Sequence, residues 1–351
     1  MSALVFEPML SKVWKGNRME LLNPLVDPDA TFISTGRLPP PDRVTKLVTE
    51  AHERFGSVTL GKNSQVYPAL AKVSENLFGI CVVSVDGHVF AVGDADHEFT
   101  IMSVSKPFIF ALICDLIGAT GARERLGVNA TGYAFNSLAG IERDKDGRTN
   151  PMVNAGAIAT TSLVPGNTES EKWRFIQEGL SRFAGRDLSV NEEVYVSASE
   201  TNYRNRSIAW MLESMGRIYC NPVEAVELYT RQCSLNVSAR DLAVMGATLA
   251  HGGVNPLTKE QVVKPDVCHY ALAVMLTAGL YETSGDWLYE IGLPGKSGIG
   301  GGIVTVSPGK GGLGTFAPPL DEAGNSVRGQ LAAQFLSQRL GLDLLMSSSA
   351  N

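Results

Sequence analysis

Two short patterns in this chain pair a serine with a lysine in ways that can do chemistry. In the first, Ser103 and Lys106 stand three apart in MSVSKPFIFAL, at the start of the apolar run Pro107–Ile117. If a helix begins near Ser103, both side chains lie on one face of its first turn. A serine hydroxyl is a weak nucleophile until a base removes its proton. A lysine stripped of water can be that base, because burial lowers its pKa. The helix N-terminus adds free N–H groups and a positive field, useful to a developing oxyanion. The competing role for Ser103 is a plain helix N-cap. Spacing alone does not choose between them. The chain repeats Ser-x-x-Lys at Ser307 and Lys310 inside SPGKGGLG, where a loop would not enforce the geometry.

The second pattern is Lys296-Ser297-Gly298, followed by Ile299-Gly300-Gly301-Gly302. A Walker phosphate loop needs glycine where Glu290 stands, and Gly-x-Gly-x-x-Gly fails at Ile303. A Lys-Ser/Thr-Gly triplet opening an edge strand is instead the companion of Ser-x-x-Lys in penicillin-recognising enzymes. Gly298 would admit a close ligand or backbone, and the Ile299 N–H would be an oxyanion donor. The alternative is a glycine-rich turn with a solvated lysine. The two patterns together point to serine acyl transfer.

These groups need elements to hold them. Asp42–Phe55 reads as an amphipathic helix with Val44, Leu47, Val48 and Ala51 on one stripe. Asp86-Gly87, between two β-rich runs, predicts a hairpin of the I′ type. Helices are expected over Asn154–Leu163, Glu169–Phe183, Val194–Met215, Pro222–Arg231, Ser238–Ala250, Cys268–Leu280 and Asn325–Leu340, and strands over Gly302–Val306 and Gly314–Ala317. Strands at both ends with helices between them fit an α+β plan: one antiparallel sheet flanked by helices, plus an inserted helical lobe. Residues 1–40 read as an N-terminal extension, closed by the prolines 39–41, ahead of one body over residues 41–345.

Composition narrows the class. Among 351 residues, 44% are hydrophobic and 19% charged, as in ordinary globular proteins. Net charge is −6 with no basic block, which disfavours nucleic acid and anionic membranes as partners. Pro107–Ala119, the longest apolar run, contains Asp115 and is too short for a bilayer span. The N-terminal stretch lacks the marks of a signal peptide. Five cysteines without Cys-x-x-Cys fit reduced thiols in a cytoplasmic protein. Scattered histidines argue against a metal site.

At this point the chain resembles a known family. MSVSKPFIFAL, NPMVNAGAI, RNRSIAWML, Ser238-Ala239-Arg240-Asp241-Leu242, GLYETSG and GKSGIGGGI are similar to segments of the serine-dependent glutaminases, over roughly Asp42 to Leu340. The resemblance implies a fold like that of β-lactamases and penicillin-binding proteins, and hydrolysis of L-glutamine to L-glutamate and ammonia. By position it implies Ser103 as nucleophile, Lys106 as base and Tyr281 as partner in their proton relay. Ser103, Asn154, Asn205, Tyr229, Tyr281 and Ile299 would contact substrate, the last through its backbone. It implies no cofactor, and a homodimer or homotetramer. Read without it, Tyr229 and Tyr281 are equally well core tyrosines with satisfied hydroxyls.

Two departures stand out. Ala198 occupies the position of a family glutamate that holds the substrate's α-amino group, and Glu200 or an ordered water would have to replace that carboxylate. Tyr67 is offset by one residue from the family's tyrosine, which speaks against a substrate role. The alternatives to a glutaminase are a β-lactamase or DD-peptidase relative, or a weakened homologue that binds an amino acid without turnover.

Overall fold

A computed structural model describes residues 37–346, so nearly all of the expected extension lies outside the described residues. A five-stranded antiparallel sheet has the order β2-β1-β7-β6-β5. Its strands are β1 (Gly79–Ser84), β2 (Val89–Gly93), β5 (Gly295–Ser297), β6 (Gly302–Ser307) and β7 (Gly311–Phe316). Early strands thus pair with late ones, through β1 against β7. A second, two-stranded ladder joins β3 (Phe99–Thr100) to β4 (Asn236–Val237). The residues between β3 and β5 are mostly helical, so the α+β plan with a helical insertion is the one observed.

Alternation along the strands sends side chains to two cores. Ile80, Val82, Ile303 and Leu313 face the helices Pro41–Phe55 and Val327–Arg339, packing around Phe55 and Phe335. Cys81 and Val83 face the opposite side, toward Ala243, Val244 and Ala247 of the helix Ala239–Ala250. That helix is entered through a capping box: Asp241 N–H donates to Ser238 Oγ (3.1 Å) and Ser238 N–H to Asp241 Oδ2 (2.7 Å). It lies against glycines of β7. A Cβ at Gly312 would sit 2.2 Å from the Ala243 carbonyl oxygen, and one at Gly314 2.0 Å from that of Ala239. Only a bare backbone permits this approach.

Three local expectations are corrected. The β1–β2 connection is a hairpin but not of the I′ type, which needs two residues at positive φ. Gly87 has φ +93° while Asp86 is not among the left-handed residues, and the loop closes through Gly87 N–H to Ser84 C=O (3.0 Å). Val194–Met215 is two helices, Glu192–Thr201 and Tyr203–Ser214, broken at Asn202, whose side chain donates to Thr230 Oγ1 (2.7 Å). The apolar run belongs to a longer helix, Lys106–Leu126, interrupted at Gly118 with φ +77°. By length and composition Met102–Leu126 is apolar enough to cross a membrane, but 72% of its most apolar window is buried in the protein. It is a core helix.

Substituting Gly312→Val should overpack the helix–sheet contact and destabilise the protein by about 3 kcal/mol, lowering Tm by about 5 °C or more. A thermal melt checks this. Gly309, with open space where a Cβ would stand, is a control for crowding, although its φ of +75° carries its own strain.

Candidate active site

Ser103 lies in a single 3₁₀ turn, Met102–Ser105, which feeds directly into the helix beginning at Lys106. The turn is anchored from the helical lobe. Ile101 N–H donates to Leu235 C=O (2.9 Å), beside the β3–β4 ladder. Within it, Ser105 Oγ donates to Met102 C=O (2.8 Å). Gln232 Nε2 donates to Ser105 Oγ (2.9 Å), and Thr161 Oγ1 to Gln232 Oε1 (3.0 Å). This buried chain holds Met102 at φ +47°, a conformation costly for a non-glycine residue. From the sheet side, Gly298 closes the site: a Cβ there would meet the Ile101 carbonyl at 3.0 Å and Val104 at 3.1 Å. Any side chain would push β5 away from the serine turn.

Lys106 is 2% exposed. Its Nζ donates to Asn154 Oδ1 (2.7 Å) and to Met152 C=O (3.3 Å), both neutral acceptors. Burial without an anion pushes its pKa down to about 7, against a smaller upward pull from Cys233. Sharing one face of a first turn does not give Ser103 and Lys106 a direct hydrogen bond among the described residues. The lysine instead turns toward the Asn150-Pro151-Met152 turn. Asn150 organises that turn, donating to Val128 C=O (2.9 Å) and accepting from Met152 N–H (2.9 Å). The small residues of Asn154–Thr161 have a reason here: a Cβ at Gly156 would lie 2.1 Å from the Asn150 carbonyl oxygen.

The remaining polar groups converge on Asn154 and Tyr281. Asn154 Nδ2 donates to Asn205 Oδ1 (2.9 Å), and the Tyr229 hydroxyl donates to Asn154 Oδ1 (3.4 Å). Tyr281, at φ +55°, donates its hydroxyl to Ser297 C=O (3.4 Å) and also interacts with the Ser103 side chain. Burial raises the Tyr281 and Tyr229 phenols above the usual tyrosine range. Lys296 is completely buried, which excludes the solvated-lysine alternative. Its Nζ donates to Gly279 and Ser297 carbonyls (both 2.7 Å) and sits 4.4 Å from the Tyr281 ring centroid. Burial first, and repulsion from Lys106 second, hold its pKa well below the lysine norm. Ile299 packs beside Met102.

Three placements depart from expectation or extend it. Ala198 is buried on the same helix face as Val194, one turn away, and Val194 packs with Met102 beside the site. Glu200 is exposed on the opposite side of that helix, so it cannot stand in for the carboxylate that Ala198 lacks. Tyr67 packs in the cluster of Met102 and Ile299, where its phenol feels Cys233, despite the one-residue offset in sequence. Cys233 belongs to the site too, its thiol pushed up to about 11 by burial and pulled back by Lys106. No sequence signal marked it. Among the described residues no three His, Cys, Asp or Glu side chains gather as a metal site.

A serine on a strained turn, a buried amine without a counter-ion and a phenol beside the serine are the apparatus of acyl transfer on a fold like that of β-lactamases. The glutaminase family model matches residues 61–345. Glutaminase 2 of Yersinia pestis is 70% identical over 316 residues, covering 90% of this chain and 93% of that protein. A glutaminase of Mycobacterium ulcerans is 48% identical over 86% of this chain and 94% of its own. Among solved structures, the probable glutaminase ybaS superposes with TM-score 0.86 at 42% identity, covering 88% of this chain and all of that one. The chain belongs to the glutaminase family.

Rates should follow the free-base form of Lys106. The kcat/KM profile should climb about tenfold per pH unit below pH 7 and level off above it, since the amine titrates at about 7. Lys106→Arg, which cannot lose its proton, should cost about 10²- to 10⁴-fold at every pH.

Proposed function

We propose that the chain hydrolyses L-glutamine to L-glutamate and ammonia through a γ-glutamyl ester on Ser103, with Lys106 as the base. The observation that carries the mechanism is the burial of Lys106 against neutral acceptors alone: an amine lowered in this way to about 7 is partly free base at neutral pH and can take a proton. Ser103 Oγ attacks the side-chain amide carbon, and its proton passes through the Tyr281 hydroxyl to Lys106. The new alkoxide is held by the N–H groups of Ser103 and Ile299. The C–N bond then breaks, and the leaving nitrogen takes the proton back from the relay to depart as ammonia. Water attacks the ester with Lys106 again accepting a proton. The ester C–O bond breaks, and Ser103 recovers its hydrogen as glutamate leaves.

Asn154, Asn205 and Tyr229 bind the substrate in this reading, and Asn154 does so while orienting Lys106. Residues 41–345 act as one unit, the sheet lobe supplying Tyr281 and Ile299 and the helical lobe the rest. The protein works in the cytoplasm as a homodimer or homotetramer. The exposed apolar side chains of Tyr203, Trp210 and Val223 support association of copies.

The test is ammonia release from L-glutamine, with L-asparagine as control, for wild type, Ser103→Ala and Ala198→Glu. Glutamine-specific release that disappears in Ser103→Ala is expected. Ala198→Glu should lower KM for glutamine by about tenfold, the worth of one charge-assisted hydrogen bond. Release that persists in Ser103→Ala would remove the acyl-enzyme, and an unchanged KM would show that the site does not need that carboxylate.

A further inference from the structure

Tyr281 is the residue of the relay whose position is hardest to explain locally. Its φ of +55° is unfavourable for a residue with a bulky ring, and the only brace within Tyr281-Glu282-Thr283 is Thr283, whose Oγ1 (3.0 Å) and N–H (3.2 Å) donate to the Leu280 carbonyl. The peptide groups on either side of it are both fixed from outside. Ser284 Oγ donates to the Tyr281 carbonyl (2.8 Å). The Leu280 carbonyl, on the other side, accepts from Asn325 Nδ2 (3.4 Å).

Asn325 does more than this. It is completely buried, in the turn before the last helix. The same Nδ2 donates to Thr283 Oγ1 (3.0 Å), while Oδ1 accepts from Ser297 Oγ (2.5 Å). Ser297 belongs to β5, and its carbonyl accepts both the Tyr281 hydroxyl and the Lys296 amine. One amide side chain therefore ties the strained Tyr281 turn to the strand that leads into Ile299. Asn325 is itself seated: its N–H donates to Asp321 Oδ1 (2.9 Å), and Gln330 Nε2 donates to Asp321 Oδ2 (2.8 Å). The preceding residue, Gly324, has φ +96° and brings the turn close behind both groups. A Cβ there would lie 3.5 Å from the Tyr281 ring and 3.6 Å from the Ile299 side chain.

We propose that Asn325 is a positioning residue for catalysis, clamping the Tyr281 turn to β5 so that the Tyr281 hydroxyl stays aimed at Ser103. This rests on the reading of Tyr281 as proton relay. The amide is suited to the task because it has both an acceptor for Ser297 and a two-hydrogen donor for the turn. Freed of the clamp, the Tyr281 turn can relax toward ordinary φ, carrying the hydroxyl away from the serine. A displacement of about an ångström at such a group costs on the order of a hundredfold in rate.

The experiment is a double-mutant cycle between Asn325→Ala and Tyr281→Phe, with kcat and KM for glutamine measured on protein shown to be folded by circular dichroism. The clamp predicts that Asn325→Ala lowers kcat by about 10- to 100-fold with KM within about threefold. It also predicts that the same change costs less than about threefold in the Tyr281→Phe background, because the hydroxyl it positions is gone. If Asn325→Ala does not fold, Thr283→Val removes the Asn325–Thr283 bond of the clamp, together with the Thr283 Oγ1 bond to the Leu280 carbonyl, without emptying the core, and the same cycle applies with a loss of about 3- to 10-fold in kcat. A kcat within about threefold of wild type in folded Asn325→Ala, or an unchanged kcat in Thr283→Val where that variant is the one used, would overturn the proposal. So would full additivity with Tyr281→Phe, which would make Asn325 merely structural. Wild-type kcat in Tyr281→Phe alone would instead overturn the relay, and the clamp's purpose with it.

Discussion

A lysine amine buried without an anion is the constraint around which this structure is arranged. An ammonium at Lys106 would have to be desolvated against neutral oxygens alone, Asn154 Oδ1 and the Met152 carbonyl. That arrangement favours the free base, because the unpaired buried charge is far costlier than the buried neutral amine. Withholding a counter-ion thus brings the amine to titrate near neutral pH. A carboxylate in contact with Lys106 would strengthen the ion pair and disable the base. Lys296 is likewise buried and likewise donates to neutral carbonyls.

Holding the reacting groups around such an amine requires elements far apart in sequence. The helical lobe supplies Ser103, Lys106, Asn154, Asn205 and Tyr229, β5 supplies Ser297, and the turn from β5 to β6 supplies Ile299. Their meeting depends on close backbone contact, which explains why glycines mark the seams. Gly298 against Ile101, Gly156 against Asn150 and Gly312 against Ala243 all sit where a Cβ would collide with backbone. Among the described residues only three non-glycines have left-handed φ, and two of them, Met102 and Tyr281, flank the site. Each is held by a buried amide, Gln232 through Ser105 for Met102 and Asn325 for Tyr281. Strain at the reacting groups is thereby supported by packing elsewhere.

Much of this was legible in the chain, for identifiable reasons. Ser103 and Lys106 are neighbours in a local pattern, and the capping box at Ser238 and Asp241 is equally local. The sheet of early and late strands followed from where β-rich runs cluster, and the resemblance carried Asn154, Asn205, Tyr229 and Tyr281. What stayed hidden was set by long-range pairing. The hydrogen bond from Lys106 to the Met152 carbonyl is decided by a turn forty-six residues on. Asn325 and Gln232 are ordinary polar residues in sequence, and only folding reveals them as buried clamps. Helical phase placed Ala198 inside and Glu200 outside, a distinction that proximity in sequence concealed.

The central claim, that burial brings the Lys106 amine to titrate near neutral pH, is tested most directly by its own titration. The measurement is an NMR pH titration of protein labelled at lysine Cε, with the Lys106 signal assigned by its disappearance in Lys106→Met. A midpoint near 7, well below that of the surface lysines, is the predicted result. A midpoint above about 9 would show a charged ammonium in the resting site and would contradict the account.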